Sequence, residues 1–341
     1  MRPNFLNNMD KIALVAPSFG CTFTPYKERL MASIENFKKM KYNLELGENI
    51  DKELGVIASN TPSLRGHELM EAFRGDSKAI MSVGGGETML EILDYLDFEE
   101  IKKNPKWFVG YSDNTTLTFT LATICDMEAI YGINFPSFHT KPFKYDQLDT
   151  LRMLRGEKEF LGYKSFEYHE YVPLPLGEEK EEPDPLEPRH VNKRTRLICY
   201  NYDKPIEGRL IGGCLDVLQC LCGTKYDRAR EYAIKHEAEG LIYFLEACDL
   251  NSASIRRALF QLKSAGWFKN VKMFIIGRSR RLNDMSFGVD IRSSYIDMLK
   301  EYNVPIILDC PFGHIGPTLP IRSNAHAKVS IENNQIKFEY K

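Results

Sequence analysis

The chain has 341 residues, 43% of them apolar and 27% charged, with a formal net charge of −2. That length fits two domains or one large α/β domain, and the apolar content builds a core without help from a metal or a disulfide. The near-neutral balance excludes a phosphate-tracking surface for nucleic acid polymers, and no apolar run is long enough to cross a bilayer.

The first apolar stretch, Ile12-Ala13-Leu14-Val15-Ala16, ends in Pro17, which is too short for a signal-peptide core and reads as a buried strand. The eight cysteines are scattered and form no C-x-x-C pair, so neither a disulfide scaffold nor a zinc site is indicated. Reduced cysteines in a cytoplasmic protein are the expectation.

Short apolar runs alternate with amphipathic stretches, a pattern that predicts an α/β fold with a mainly parallel sheet. In chain order the first half gives a strand over 11–16, helices over 27–40 and 63–74, and a strand over 79–83. After Gly84-Gly85-Gly86 come a helix over 88–93, a strand over 107–110, a helix from about 114 to 124 and a strand over 129–133. Between 166 and 205 the periodicity stops, and Glu178-Glu179-Lys180-Glu181-Glu182-Pro183 is an acidic, proline-broken run of the kind found in solvated linkers. A long irregular segment of this kind can also serve as a lid. Order returns at Gly208. Gly212-Gly213 open a helix over 214–221, followed by a strand over 240–245 and a helix over 254–265. Strands over 271–276 and 304–308 come next, then a hairpin of 327–331 and 335–340 around Asn333-Asn334. The expected division is an amino-terminal α/β domain over 1–165, a linker over 166–205 and a smaller carboxy-terminal α/β domain over 206–341.

In open α/β sheets ligands collect beyond the carboxyl ends of the strands, so polar residues directly after apolar runs are the candidates. Trp107-Phe108-Val109-Gly110-Tyr111-Ser112-Asp113-Asn114-Thr115 places a serine where a strand turns into a helix, the logic of a nucleophile elbow. Asn114 stands where G-x-S-x-G has its second glycine, and Ser112 also suits a plain helix cap. Leu241-Ile242-Tyr243-Phe244-Leu245-Glu246 ends a buried strand in a carboxylate that must find a partner: an imidazole, a basic side chain or helix N–H groups. Asp249 is the rival acid. His314 lies in a glycine- and proline-framed turn just past the 304–308 strand, a better setting for a base than that of His67, His139, His169, His190, His236 or His326. Gly84-Gly85-Gly86 lets backbone N–H groups approach a phosphate or an oxyanion, but fits neither a dinucleotide fingerprint nor a Walker loop. An α/β module that only binds an anion would use the same glycines with no catalysis.

These segments together resemble the LD-carboxypeptidase family of serine peptidases, which includes the microcin C immunity proteins. The resemblance spans nearly the whole chain and rests on Val15-Ala16-Pro17-Ser18, Ser82-Val83-Gly84-Gly85-Gly86, Gly110-Tyr111-Ser112-Asp113-Asn114-Thr115, Gly208-Arg209-Leu210-Ile211-Gly212-Gly213-Cys214-Leu215, Phe244-Leu245-Glu246 and Gly313-His314. It implies a doubly wound amino-terminal domain with a smaller carboxy-terminal one, a homodimer, and a Ser–Glu–His triad falling on Ser112, Glu246 and His314. Backbone N–H groups of Asp113 and of Gly85 or Gly86 would hold the oxyanion, with no metal or organic cofactor.

The glycine-loop style and the long insertion before Gly208 are closer to the microcin-immunity branch than to the murein carboxypeptidases. That branch cleaves the bond between an aminoacyl group and a nucleotide-like part, and its insertion supplies an aromatic to stack on the base. The only tryptophans here are Trp107 and Trp267, so Tyr200, Tyr202 or Tyr171 would stack instead, with Glu87 as a further substrate contact. The alternative within the family is a murein tetrapeptide LD-carboxypeptidase.

Overall fold

The computed structural model describes residues 1–7, 9–158, 160, 168–169, 184–188, 190–194 and 196–341. The acidic run 178–183, Tyr171 and the 165/166 boundary lie outside the described residues.

Two sheets organise the chain. The first carries β1 (Lys11–Val15), β2 (Asn43–Leu46), β3 (Ala79–Ser82), β4 (Trp107–Gly110) and β5 (Ala129–Tyr131). A two-residue pair, β6 (Tyr168–His169) with β7 (Lys193–Arg194), precedes the strands of the second sheet. Those begin with β8 (Ile198–Tyr200), β9 (Ile206–Cys214), β10 (Leu241–Glu246) and β11 (Val271–Gly277). After the small β12 (Met285–Ser286) and β13 (Val289–Asp290) come β14 (Ile306–Cys310), β15 (Ile321–Ser323), β16 (His326–Glu332) and β17 (Gln335–Tyr340).

The first sheet has the order β15-β5-β4-β3-β1-β2, parallel from β5 to β2, with β15 added antiparallel against β5. The second runs β17-β16-β9-β10-β11-β14-β8, with a parallel centre β9-β10-β11-β14 and antiparallel edges. The α/β class with a mainly parallel sheet expected from the apolar runs is the observed one, in the doubly wound form that the family resemblance implied. Parallel strands covered on both faces need continuous apolar sequence, and β4 and β10 are buried at every position.

In the first sheet the chain reverses direction of winding between β1 and β3, the position where open sheets form a binding crevice. The segments after those two strands, with Ser18 and Phe19 on one side and Gly84-Gly85-Gly86 on the other, meet there, the Phe19 N–H donating to Gly85 O at 3.2 Å. The two sheets share one core: Tyr131 and Ile321 of the first pack with Leu210, Phe244, Ile307 and Phe312 of the second. A stacked pair, Phe119 and Trp267 at 4.7 Å, fills the other side. Burying such a ring contributes about 2 kcal/mol or more.

Several elements differ from expectation. The stretch after the glycine loop is a 3₁₀ run over Met89–Tyr95, not an α-helix. Gly212 and Gly213 lie within the nine-residue strand β9, which ends at Cys214, and the helix starts only at Leu215. The strand expected over 304–308 begins two residues later, at Ile306. Helices at Tyr145–Leu154 and Ile291–Leu299 and the strands β2 and β15 were not foreseen.

Candidate active site

Strand β4 delivers Ser112. Tyr111 is still extended, and Ser112 then takes a left-handed backbone (φ 64°) before a 3₁₀ turn, Ser112–Asn114, runs into the helix Thr115–Thr123. A β-carbon residue avoids that conformation unless the surroundings impose it, and such outliers gather at reactive sites. The turn is locked from behind. Asn114 Nδ2 donates to Gly84 O at 2.8 Å, and the buried Asp113 carboxylate accepts from Ser18 Oγ and from the Met89 N–H at 2.8 Å. Ser112 therefore does not cap the helix through its side chain, which points to the imidazole of His314 instead.

Strand β10 delivers Glu246 and the turn after β14 delivers His314. His314 Nε2 lies 2.9 Å from Ser112 Oγ, and His314 Nδ1 lies 2.8 Å from Glu246 Oε2. Tyr131 donates its hydroxyl proton to Glu246 Oε1. The His314 turn is braced by Thr318 Oγ1, which donates to Gly313 O at 2.7 Å, and by Arg278 Nη2, which donates to Pro317 O at 2.6 Å. Glu246 is wholly buried, which pushes its carboxyl up, but the His314 charge and the bonds from His314 and Tyr131 hold it below the usual carboxylate value. Burial likewise pulls the His314 imidazole down. The Glu246 carboxylate and a contact with Cys248 outweigh it and hold the imidazole well above its ordinary value. An imidazole held between a carboxylate and a hydroxyl can take a proton from the one side while its charge is stabilised from the other.

The glycine loop closes on the serine. A β-carbon on Gly85 would stand 3.0 Å from Ser112 Cβ and 3.1 Å from Ser112 Oγ, so any side chain there would crowd the hydroxyl. Gly86, at φ 135°, brings its own backbone against Ser18. The backbone of this loop thus passes beside the serine oxygen, while the N–H groups of Ser112 and Asn114 are already bonded to Tyr131 Oη and Tyr111 O.

A cavity of about 470 Å³ opens over Ser112 and His314. Gly85, Gly86 and Glu87 line it from the glycine loop, and Phe19, Phe23 and Tyr26 from the segment after β1. Burial and the nearby Asp113, Asp249 and Asp216 raise the Glu87 carboxyl. Of the rivals weighed from sequence, Asp249 and His139 also reach this cavity. Tyr200 and Tyr202 do not line it. Tyr200 is paired with Ile306 at the edge of the second sheet, and the Tyr202 hydroxyl accepts from the Ile331 N–H at 2.8 Å. Tyr200 is thus spent at the β8 margin of that sheet, and Tyr202 on β16 near the opposite margin.

Sequence reasoning missed six residues of the site. Tyr131 had no signal beyond its place at the end of a short strand, 115 residues from Glu246. Cys248 and Arg280 follow β10 and β11, and the rule about strand carboxyl ends would have found them. The aromatics Phe19, Phe23 and Tyr26 form a mutually edge-on group with centroids 5.2–5.5 Å apart. Phe23 and Tyr26 are 40% and 43% exposed, which is unusual for rings with no covering partner among the described residues.

Cys214, Glu246 and His314 bring their donor atoms within 4.8 Å of one another. Both nitrogens of His314 are engaged, however, and burial raises the Cys214 thiol well above its usual value, so this set keeps its protons rather than offering a thiolate.

Comparison with known proteins places the fold. Residues 12–132 match the family model of the LD-carboxypeptidase N-terminal domain and residues 207–329 that of the LD-carboxypeptidase C-terminal domain. YocD of Bacillus subtilis is 27% identical over 321 residues, covering 93% of this chain and 92% of that protein. The microcin C7 self-immunity protein MccF of Escherichia coli is 26% identical over 339 residues, covering 97% and 94%. Among solved structures, an MccF-like protein from Bacillus anthracis superposes with a TM-score of 0.79 at 24% identity, covering 99% of this chain and 98% of that one. A muramoyltetrapeptide carboxypeptidase from Oxalobacter formigenes superposes with a TM-score of 0.70 at 20% identity, covering 97% and 98%. With both of its halves matched in order, the chain belongs to the LD-carboxypeptidase family of serine-type peptidases.

Proposed function

We propose that the protein is a serine hydrolase in which Ser112 attacks an acyl carbon, His314 carries the proton and Glu246 orients the imidazole. The contacts of 2.9 and 2.8 Å that join the three side chains carry this reading. Ser112 Oγ forms a bond to the carbonyl carbon as its proton passes to His314 Nε2. The resulting oxyanion rests on N–H groups of Asp113 and of Gly85 or Gly86. When the tetrahedral species collapses, the bond to the leaving nitrogen breaks and His314 returns the proton to that nitrogen. Water then attacks the acyl-Ser112 ester, losing its proton to His314, and the acid is released.

For the substrate, we propose an aminoacyl- or peptidyl-nucleotide-like amide. The half-exposed rings of Phe23 and Tyr26 at the cavity rim support it, because they offer π-faces to a base in place of the tyrosines expected on the insertion. The relative MccF is a microcin C7 self-immunity protein, and its structures hold glutamyl sulfamoyl guanosine and aspartyl sulfamoyl adenosine. A murein tetrapeptide is the second reading, favoured by Glu87 and Asp249, which offer carboxylates to a substrate amino group. The division into 1–165 and 206–341 and a cytoplasmic setting belong to the same proposal, the latter supported by eight free thiols. Incubating the protein with an aminoacyl-sulfamoyl nucleoside and with a murein tetrapeptide, and following release of the acyl part, decides between the substrates. A fluorophosphonate probe that fails to label Ser112 would remove the nucleophile assignment altogether.

A further inference from the structure

Three arginines crowd the turn after β11, and two are tied down. Arg278 donates to Pro317 O, and Arg281 bonds Asp284 and donates to Asp249 O at 3.0 Å. Arg280 is different. It is half-buried, lines the cavity of Ser112 and His314, and its Nη1 meets the Cys248 sulfur at 3.5 Å. No carboxylate forms an ion pair with it among the described residues, although Glu87 and Asp249 line the same cavity. Cys248 in turn contacts His314, so the order in space is Arg280, Cys248, His314, Ser112.

That order fixes what Arg280 faces. The leaving nitrogen must come to His314 Nε2 to receive its proton, so groups attached to that nitrogen lie on the His314 side of the cavity. In an α-amino acid a carboxylate stands two bonds from the nitrogen. In an acyl sulfamate or phosphoramidate the sulfonyl or phosphoryl oxygens are held by the atom bonded to it. A guanidinium one thiol away from the imidazole meets either group, and its flat fork suits two oxygens at once. Burial disfavours the Arg280 cation, and the Cys248 contact with the charge of Asp249 more than offsets that, but no carboxylate among the described residues touches the guanidinium directly, which leaves that contact to a substrate anion.

We propose that Arg280 recognises an anionic group carried by the leaving amine next to the scissile nitrogen, and so sets leaving-group specificity. The inference rests on the reading of Ser112 as nucleophile, and it holds for either substrate proposed above.

The test is kinetic, on the full chain. Matched pairs keep the rest of the substrate and change the anion: a peptide with a free terminal carboxylate against its terminal amide, and an aminoacyl sulfamoyl nucleoside against the uncharged aminoacyl amide of the corresponding 5′-amino nucleoside. Wild type should prefer the anionic member of at least one pair by about tenfold or more in KM, the usual weight of a charge-assisted hydrogen bond. Preference within the first pair identifies a carboxylate, and within the second a sulfamoyl group. Arg280→Ala should bring that ratio close to one, and Arg280→Lys should restore part of it. Should Arg280→Ala fail to fold, Arg280→Gln and the wild-type ratios still decide. Equal KM within both pairs for wild type, or a ratio that survives loss of the guanidinium, overturns the inference. Fluorophosphonate labelling keeps the two ideas apart. Unlabelled wild type sinks the Ser112 reading, whereas labelled protein without anion preference sinks only the role of Arg280.

Discussion

Tyr131 donates a hydrogen bond to Glu246 while its oxygen accepts, at 3.4 Å, from the backbone N–H of Ser112. One phenol thus touches both ends of the Ser112–His314–Glu246 chain. Full burial and the neighbouring Glu246 carboxylate raise its pKa well above the ordinary phenol value, so it remains a donor. Tyr131→Phe leaves Glu246 Oε1 without a partner in a site closed to water, at a cost of about 1–3 kcal/mol in stability. It should also lower kcat/KM by roughly tenfold, the equivalent of about 1.4 kcal/mol. Denaturant melts and steady-state kinetics check this, and a variant indistinguishable from wild type in both would reduce Tyr131 to packing.

Ser112→Ala should abolish turnover with little change in Tm, because the hydroxyl makes no cap bond to the helix it precedes. Ser112→Gly separates chemistry from strain. The left-handed backbone at φ 64° penalises any β-carbon, so the glycine variant should be inactive and more stable than the alanine one by about 1 kcal/mol. Residual activity in either variant argues for another nucleophile.

The pH dependence follows from the raised His314. A base must be neutral to accept the serine proton, and a raised pKa keeps the imidazole protonated to higher pH. Activity should therefore climb with pH along a limb displaced above about 6.5, the ordinary histidine value. Glu246→Gln removes the charge that raises it. The limb should shift to lower pH, and the plateau should fall by roughly 10⁴-fold, the loss known for an acid-to-amide change in a serine protease triad. A rate profile whose ascending limb does not move in that variant would separate Glu246 from the titration of His314.

Replacing Phe23 and Tyr26 together by Ala should raise KM for a nucleoside-bearing substrate by about tenfold, since stacking on one ring contributes about 1–3 kcal/mol. Tyr200→Ala should instead loosen the second sheet at its β8 margin beside Ile306, and Tyr202→Ala near Ile331 on β16, both with KM unchanged. The reverse outcome would return base recognition to the insertion.

Much of the candidate site was legible because it is local. Apolar runs followed at once by Ser112 or Glu246, and a glycine-framed turn around His314, report strand ends without knowledge of the partner. What stayed hidden depends on distant neighbours. β15 is three residues, Ile-Arg-Ser, that extend only because β5 offers a free edge. The outer half of β9 alternates polar residues and a glycine, so its register comes from β10 and β16. The roles guessed for Tyr200 and Tyr202 came from chain position, whereas the rings that reach the cavity come from a segment some 175 residues earlier in the chain.

The short strand β15 has a mechanical meaning. It lies late in the sequence, yet it closes the open edge of the first sheet, and its Arg322 pairs with Glu128 while facing the rings of Tyr340 and Trp107 at 4.8 and 5.6 Å. The fold is therefore buckled like a belt, with the tail threaded back into the half that was made first. A ribosome that has finished only the first 165 residues has released a sheet with one bare, apolar margin, a surface prone to sticking to other chains. Heated, the finished protein should come apart in a single calorimetric transition, because the second half cannot let go without stripping β15 from the first sheet and opening the core the two sheets share.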